Sequence, residues 1–137
     1  MKSGVLVVEP HLDSFAVLHR RLIDRFDPVW AVTFEEALRN LRTGNVSIDA
    51  VLVRADSLSG LEFITQATKR HPSTPVVAIA PWEVQGDRAC AHGAKEWVSS
   101  PINFPHLLAL LDVVSVAGRG AREARSSCLS QLVTASV

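Results

Sequence analysis

Five short apolar runs, rich in β-branched residues, alternate along this chain with five segments of helical period, and that order leaves few architectures open. The runs are GVLVVE (4–9), PVWAV (28–32), AVLVR (50–54), PVVAIA (75–80) and EWVSS (96–100). Runs that are apolar almost throughout belong to strands covered on both faces. Strict alternation of strand and helix, joined by right-handed crossovers, predicts an α/β fold with a doubly wound five-stranded parallel sheet and helices on both faces. A sheet of this kind has its crevice at the carboxyl ends of the strands. Glu9, Pro10, Arg54, Ala80 and Ser100 stand at or just after those ends.

The intervening segments carry helix signals. The first places Phe15, Leu18, Leu22 and Phe26 on one stripe, with Asp13 or Ser14 as N-cap. The second opens at Thr33 with Glu36 three residues on, a capping box, and stops at Gly44. The third repeats the device with Ser59 and Glu62 and buries Leu61, Ile64 and either Ala67 or Thr68. The fourth runs from about Val84 to His92 and ends at Gly93; the fifth, 103–114, takes Asn103 as its cap and a proline in its first turn. Beyond Ala117, Gly, Ser, Ala and Arg dominate. The domain is therefore assigned to 1–117 and a tail to 118–137, which is either a short amphipathic helix with Leu129, Leu132 and Val133 on one side or a frayed end.

At 137 residues and 47% hydrophobic content the chain has enough material for one ordinary core and too little for two. Its 14 basic and 14 acidic residues balance, so no overall field draws it to nucleic acid or an anionic membrane, and neither is expected as a partner. Cys90 and Cys128 lie far apart and match no metal or redox spacing, as for reduced thiols in the cytoplasm. The apolar run near the amino end is too short for a signal peptide, and no stretch is long enough to span a bilayer. His11, His19, His71, His92 and His106 show no ligand spacing, so neither a metal nor a cofactor is expected. Ser99, Ser100 and His106 come without the glycine-rich turn of a hydrolase, and Arg119, Arg122 and Arg125 read as a solvated helical face.

The segments VLVVEPHLDSFAVLHRRL, TFEEALRNL, IDAVLVRADSLSGLEFI, STPVVAIAPW and HGAKEWVSSPINFPHLLALL resemble, in order, those of a bacterial response-regulator receiver domain, over roughly residues 3–115. The resemblance implies the flavodoxin-like receiver fold with strand order 2-1-3-4-5. It also implies a chemistry: a histidine kinase passes a phosphoryl group to an aspartate ending the third strand. An acidic pair after the first strand holds Mg²⁺ there, while a hydroxyl ending the fourth strand and a lysine ending the fifth grip the phosphoryl group. Positioning and charge compensation supply most of such catalysis.

Carried over position by position, this pattern fails at nearly every chemical group. Glu9 keeps the first member of the acidic pair, but Pro10 replaces the second. Arg54 stands at the acceptor position, Ala80 at the hydroxyl and Ser100 at the lysine, although Pro101 of the pattern is kept. The loop from Arg54 to Gly60 also looks about two residues short. Because the first and third strands are neighbours in this fold, Arg54 is expected to enter the vacated metal space and pair with Glu9, and also with Asp56; the alternative is that it reaches out to solvent. Trp97 falls at the aromatic switch position, with no hydroxyl at Ala80 to couple to. Trp97 and Trp82 are candidate partner anchors or simple packing residues.

The reading is a degenerate receiver, or pseudo-receiver. It is not an enzyme, and it signals independently of phosphorylation through contact with a protein partner, a second copy of itself included, across the fourth helix, fifth strand and fifth helix. Two alternatives stand beside it: an unconventional receiver phosphorylated on Asp56, and a small-ligand sensor using the crevice remodelled by Ala80 and Ser100.

Overall fold

The computed structural model describes the backbone of residues 2–44 and 46–135 and the side chains of residues 2–44 and 46–120. Strands β1 (Ser3–Val8), β2 (Phe26–Ala31), β3 (Ala50–Arg54), β4 (Val76–Ala80) and β5 (Glu96–Ser99) alternate with helices α1 (Leu12–Leu22), α2 (Phe34–Thr43), α3 (Leu58–Arg70), α4 (Glu83–Ala91) and α5 (Phe104–Ala135). All strand pairs are parallel, as the strand and helix alternation predicts, and the order is β2-β1-β3-β4-β5, as the resemblance implies.

The sheet separates two cores by the two-residue period of its strands. Leu6, Val8, Val51 and Val53 face Ala37, Phe63, Ile64 and Ala89 from α2, α3 and α4. Val5, Val7, Leu52 and Val77 face Leu18 and Leu22 of α1 and Leu107 and Leu111 of α5. Every residue of β4 is buried, which is why that strand reads as unbroken apolar sequence.

Several local boundaries differ from the sequence expectations. Phe26 leaves the α1 stripe and opens β2, buried at the start of that strand. The N-cap of α1 is His11, not Asp13 or Ser14, and its side chain makes no capping bond. The N-cap of α3 is Ser57, not Ser59: its hydroxyl accepts from Gly60 N at 3.0 Å. A side chain at Gly60 would strike the Arg54 carbonyl oxygen at 2.5 Å, so the short loop demands glycine there. The caps at Thr33 and Asn103 form as expected, with Thr33 Oγ1 accepting from Glu36 N and Asn103 Oδ1 from His106 N, both at 3.1 Å.

Helix α5 passes residue 117 without a break. Arg119, expected on a solvated face, instead turns back to the amino ends of β1 and β3. There it bonds Ser3 Oγ and lies 3.8 Å from the buried carboxylate of Asp49. The same carboxylate accepts from Gly4 N at 3.2 Å. The stripe of Leu129, Leu132 and Val133, like Arg122, Arg125 and Cys128, belongs to side chains outside the described residues. No helix among the described residues is long and apolar enough to cross a membrane.

Candidate functional site

The register of β1 on β3 aligns Val8 with Val53, so the next residues, Glu9 and Arg54, leave the sheet side by side at its carboxyl edge. Arg54 donates from Nε to Glu9 Oε2 at 2.9 Å. The carboxylate is almost wholly enclosed, its residue 2% exposed, whereas the arginine side chain is 37% exposed. Charge therefore enters this mouth as a pair, and the guanidinium does not simply reach into solvent. Its Nη nitrogens have no hydrogen-bond partner among the described residues, and Asp56 forms no ion pair with it.

The backbone around Glu9 is held from three sides. Glu9 N donates to Ala31 O at 3.0 Å, Trp30 Nε1 donates to Glu9 O at 2.7 Å, and His11 N donates to Glu9 Oε1 at 3.3 Å. The Trp30 ring is itself stacked on Phe15, with centroids 4.8 Å apart. In the sequence Trp30 reads only as a residue of the second strand. A half-buried indole bonding the carbonyl next to a buried carboxylate has no local signature, because the partners are 21 positions apart.

The remaining positions offer little chemistry. Pro10 is exposed and Ala80 fully buried. Ser100 is half-buried, its N–H donating to Ala80 O at 3.1 Å. Asp56 is exposed in the three-residue loop between β3 and α3. A divalent cation does not fit this donor set. Mg²⁺ needs several oxygens in octahedral array, yet one Glu9 oxygen is held by Arg54, the other by a backbone N–H, and Pro10 brings no side-chain ligand. A fixed guanidinium in the same space adds repulsion.

Beside the pair, toward α2, lies a cavity of about 360 Å³ lined by Val8, Pro10, Val32, Phe34, Arg54 and Asp56, among others. The crevice's opening is thus on the Pro10 side; Ala80 and Ser100, expected to widen it, do not line this cavity.

Trp97 is half-buried and packs on the core beneath α4. Gly86 of α4 lies against its indole so closely that a β-carbon there would overlap the ring. The indole is held against that helix, while Trp82, 68% exposed, projects from the N-cap of α4.

No protein-family profile and no curated protein matches the sequence. Solved structures do share its shape. NtrX from Brucella abortus superimposes with a TM-score of 0.78 at 22% identity, over 92% of this chain but 29% of that one. A CheY-like response-regulator receiver domain from Methanospirillum hungatei gives 0.75 at 16% identity, over 88% and 98%. A response regulator from Thermotoga maritima gives 0.74 at 22%, over 85% and 99%. With these neighbours and its strand order of β2-β1-β3-β4-β5, the chain has the flavodoxin-like fold of response-regulator receiver domains.

Proposed function

We propose that this protein is a phosphorylation-independent, receiver-like signalling module of a two-component-type pathway, and that it works by binding another protein. The observation that carries this is the 2.9 Å bond from Arg54 to Glu9. It puts a cation at the position where the receiver resemblance implies a phosphoryl acceptor, and it engages the carboxylate that metal binding would need. A guanidinium is not a nucleophile and stays charged at all ordinary pH. The pocket's role becomes structural: the pair closes the mouth of the sheet and holds one conformation.

The partner side we assign to α4, β5 and α5. Trp82 and Val84 at the start of α4, the helix packed on the edge strand β5, and Val113 and Val116 on α5 are exposed apolar groups. Tryptophan gives large, rigid contact area, the usual chemistry of a binding hot spot. Trp97, pinned under Gly86, supports that surface from below. A second copy of the chain is one candidate partner.

A small-ligand sensor is the second reading, favoured by the cavity of about 360 Å³ beside Arg54. One titration separates the docking reading from the phosphorylatable alternative, and a co-purified ligand tests the sensor. Mg²⁺ and then beryllofluoride are added while backbone and indole NMR signals are followed. Unmoved signals at Glu9, Asp56 and Trp97 agree with a closed pocket. Saturable shifts there that disappear in Asp56→Asn would overturn it in favour of a phosphoryl acceptor. A metabolite that co-purifies and shifts Val32 and Phe34 would favour the sensor.

A further inference from the structure

At the other end of the sheet, between α2 and α3, a cavity of about 410 Å³ is lined by Glu35, Leu38, Arg39, Arg42, Arg70 and His71. Arg39 and Arg42 lie one turn apart on α2, and Arg70 is the last residue of α3. All three are exposed, and none of their guanidiniums has a hydrogen-bond or ion-pair partner among the described residues, as is also true of Arg20 and Arg88, whereas Arg25, Arg54 and Arg119 each face a carboxylate. Glu35 is the one acid in the lining. A cation in the last turn of a helix complements its carboxyl-end partial charge, which accounts for Arg42 and Arg70 taken singly. It does not account for Arg39, nor for three like charges brought to one concavity, where they repel each other. The fold gains nothing visible from that convergence.

The wall of the cavity adds a second feature. His71 is half-buried, and its imidazole makes no hydrogen bond among the described residues. Its backbone is fixed, with His71 N donating to Ala67 O at 2.8 Å and Thr74 N donating to His71 O at 3.0 Å. Arg70 and His71 also line an adjoining cavity of about 280 Å³, whose further lining includes the polar groups of Asn40, Ser47, Ser73 and Thr74. A strongly cationic chamber therefore opens into one furnished with neutral hydrogen-bonding groups.

We infer that this groove binds a small phosphorylated molecule, with its phosphate or pyrophosphate held by Arg39, Arg42 and Arg70 and its hydroxyl-bearing body against Asn40, Ser47, Ser73 and Thr74. The planar guanidinium fork matches phosphate oxygens two at a time, and such charge-assisted bonds are stronger than neutral ones. His71 adds a ring N–H donor on the wall of the same cavity. The shape favours a small molecule over a nucleic acid: the charge is gathered around a cavity, not spread in a stripe, and the chain as a whole is neutral. The groove lies at the amino ends of β3 and β4, away from Glu9 and Arg54, so it stands or falls independently of the protein-docking proposal.

The test uses the full chain, isotope-labelled, titrated first with inorganic pyrophosphate and then with a nucleoside diphosphate. Arginine Nε–H signals and the His71 imidazole report binding. Saturable shifts at Arg39, Arg42, Arg70 and His71 are expected. The exposed substitution Arg42→Gln should weaken binding about tenfold or more, and Arg88→Gln on α4 should leave it unchanged. Absence of saturation, or equal loss in both variants, would overturn the site. Tighter binding of the nucleoside diphosphate, with the gain removed by Ser73→Ala and Thr74→Ala, supports the adjoining chamber as the seat of the ligand's body; equal affinity for the two probes overturns that half. An oligonucleotide or polyglutamate peptide that engages the same arginines, and that pyrophosphate fails to displace, would replace the small molecule with a macromolecular partner.

Discussion

Arg54 and Glu9 are 45 positions apart in the chain and 2.9 Å apart in space, and their burial is unequal: the carboxylate is enclosed and the guanidinium is partly wet. That asymmetry fixes which substitution hurts. Arg54→Ala leaves an enclosed carboxylate without its countercharge, and the expected cost, reduced for solvent screening, is roughly 1–2 kcal/mol, a fall in Tm of about 3–8 °C. Glu9→Gln keeps a hydrogen-bond acceptor for Arg54 and should cost less. A double-mutant cycle by thermal melting checks both; an unchanged Tm in Arg54→Ala would overturn the reading that the pair holds the mouth of the sheet closed.

Gly86 and Trp97 make a similar test of the face below α4. A methyl group at Gly86 would overlap the indole, so Gly86→Ala should destabilise by about 1–3 kcal/mol. Fluorescence should report a more solvated Trp97. An unaltered spectrum and melt would mean that the ring has a second position open to it.

Trp82 is exposed at the N-cap of α4, away from the packed core. Trp82→Ala should leave the melting curve within experimental scatter and weaken partner binding by more than about tenfold. Calorimetry with the captured partner, or sedimentation if the partner is a second copy, would measure it.

Arg119 ties α5 to the amino end of the sheet through Ser3 and the buried Asp49. Arg119→Ala should cost roughly 1–2 kcal/mol in urea unfolding and raise hydrogen exchange at Gly4, whose N–H donates to Asp49. Intact exchange protection at Gly4 would show that the clasp is dispensable.

His71 carries a pH dependence. Its own burial, and then the neighbouring Arg70 guanidinium, hold the imidazole below its usual range. The folded form thus prefers the neutral ring. Its contribution to stability is complete above the ordinary value of 6.5 and is lost as pH falls through the lowered folded value. Glu35, Arg39, Arg42 and Arg70 are the charges facing the same cavity. NMR titration of the His71 ring should place its midpoint below that of an exposed histidine, and His71→Asn should flatten the acid limb of the stability profile. A midpoint at or above the ordinary value would contradict this placement.

Fold and site were legible to different depths. The caps at Thr33 and Asn103 could be read because a capping bond joins residues three apart. Ser57 was missed as the cap of α3 because Ser59, with Glu62 three residues on, carries the same local pattern. What chose between them was the approach of Gly60 to the Arg54 carbonyl, a contact with the preceding strand. Phe26 was misplaced for a related reason: its spacing fits the α1 stripe, and only pairing with Ser3 puts it in β2. Neither Trp30 on Glu9 nor the arginine-lined cavity had any linear signal.

The apolar runs, their alternation with helical period, the N-caps at Thr33 and Asn103 and the glycine stops were sufficient for the doubly wound parallel sheet, because burial periodicity and helix capping act over a few neighbouring residues. The substituted residues at the strand ends were equally plain in the chain, since they are identities. What those residues do together was settled by packing. The β1–β3 register brings Glu9 to Arg54, the return of α5 across the sheet brings Arg119 to Asp49, and the contact of α2 with α3 gathers Arg39, Arg42, Arg70 and His71. Coulombic and hydrogen-bond forces between side chains depend on distance in space, and for partners tens of residues apart that distance exists only once the sheet has closed.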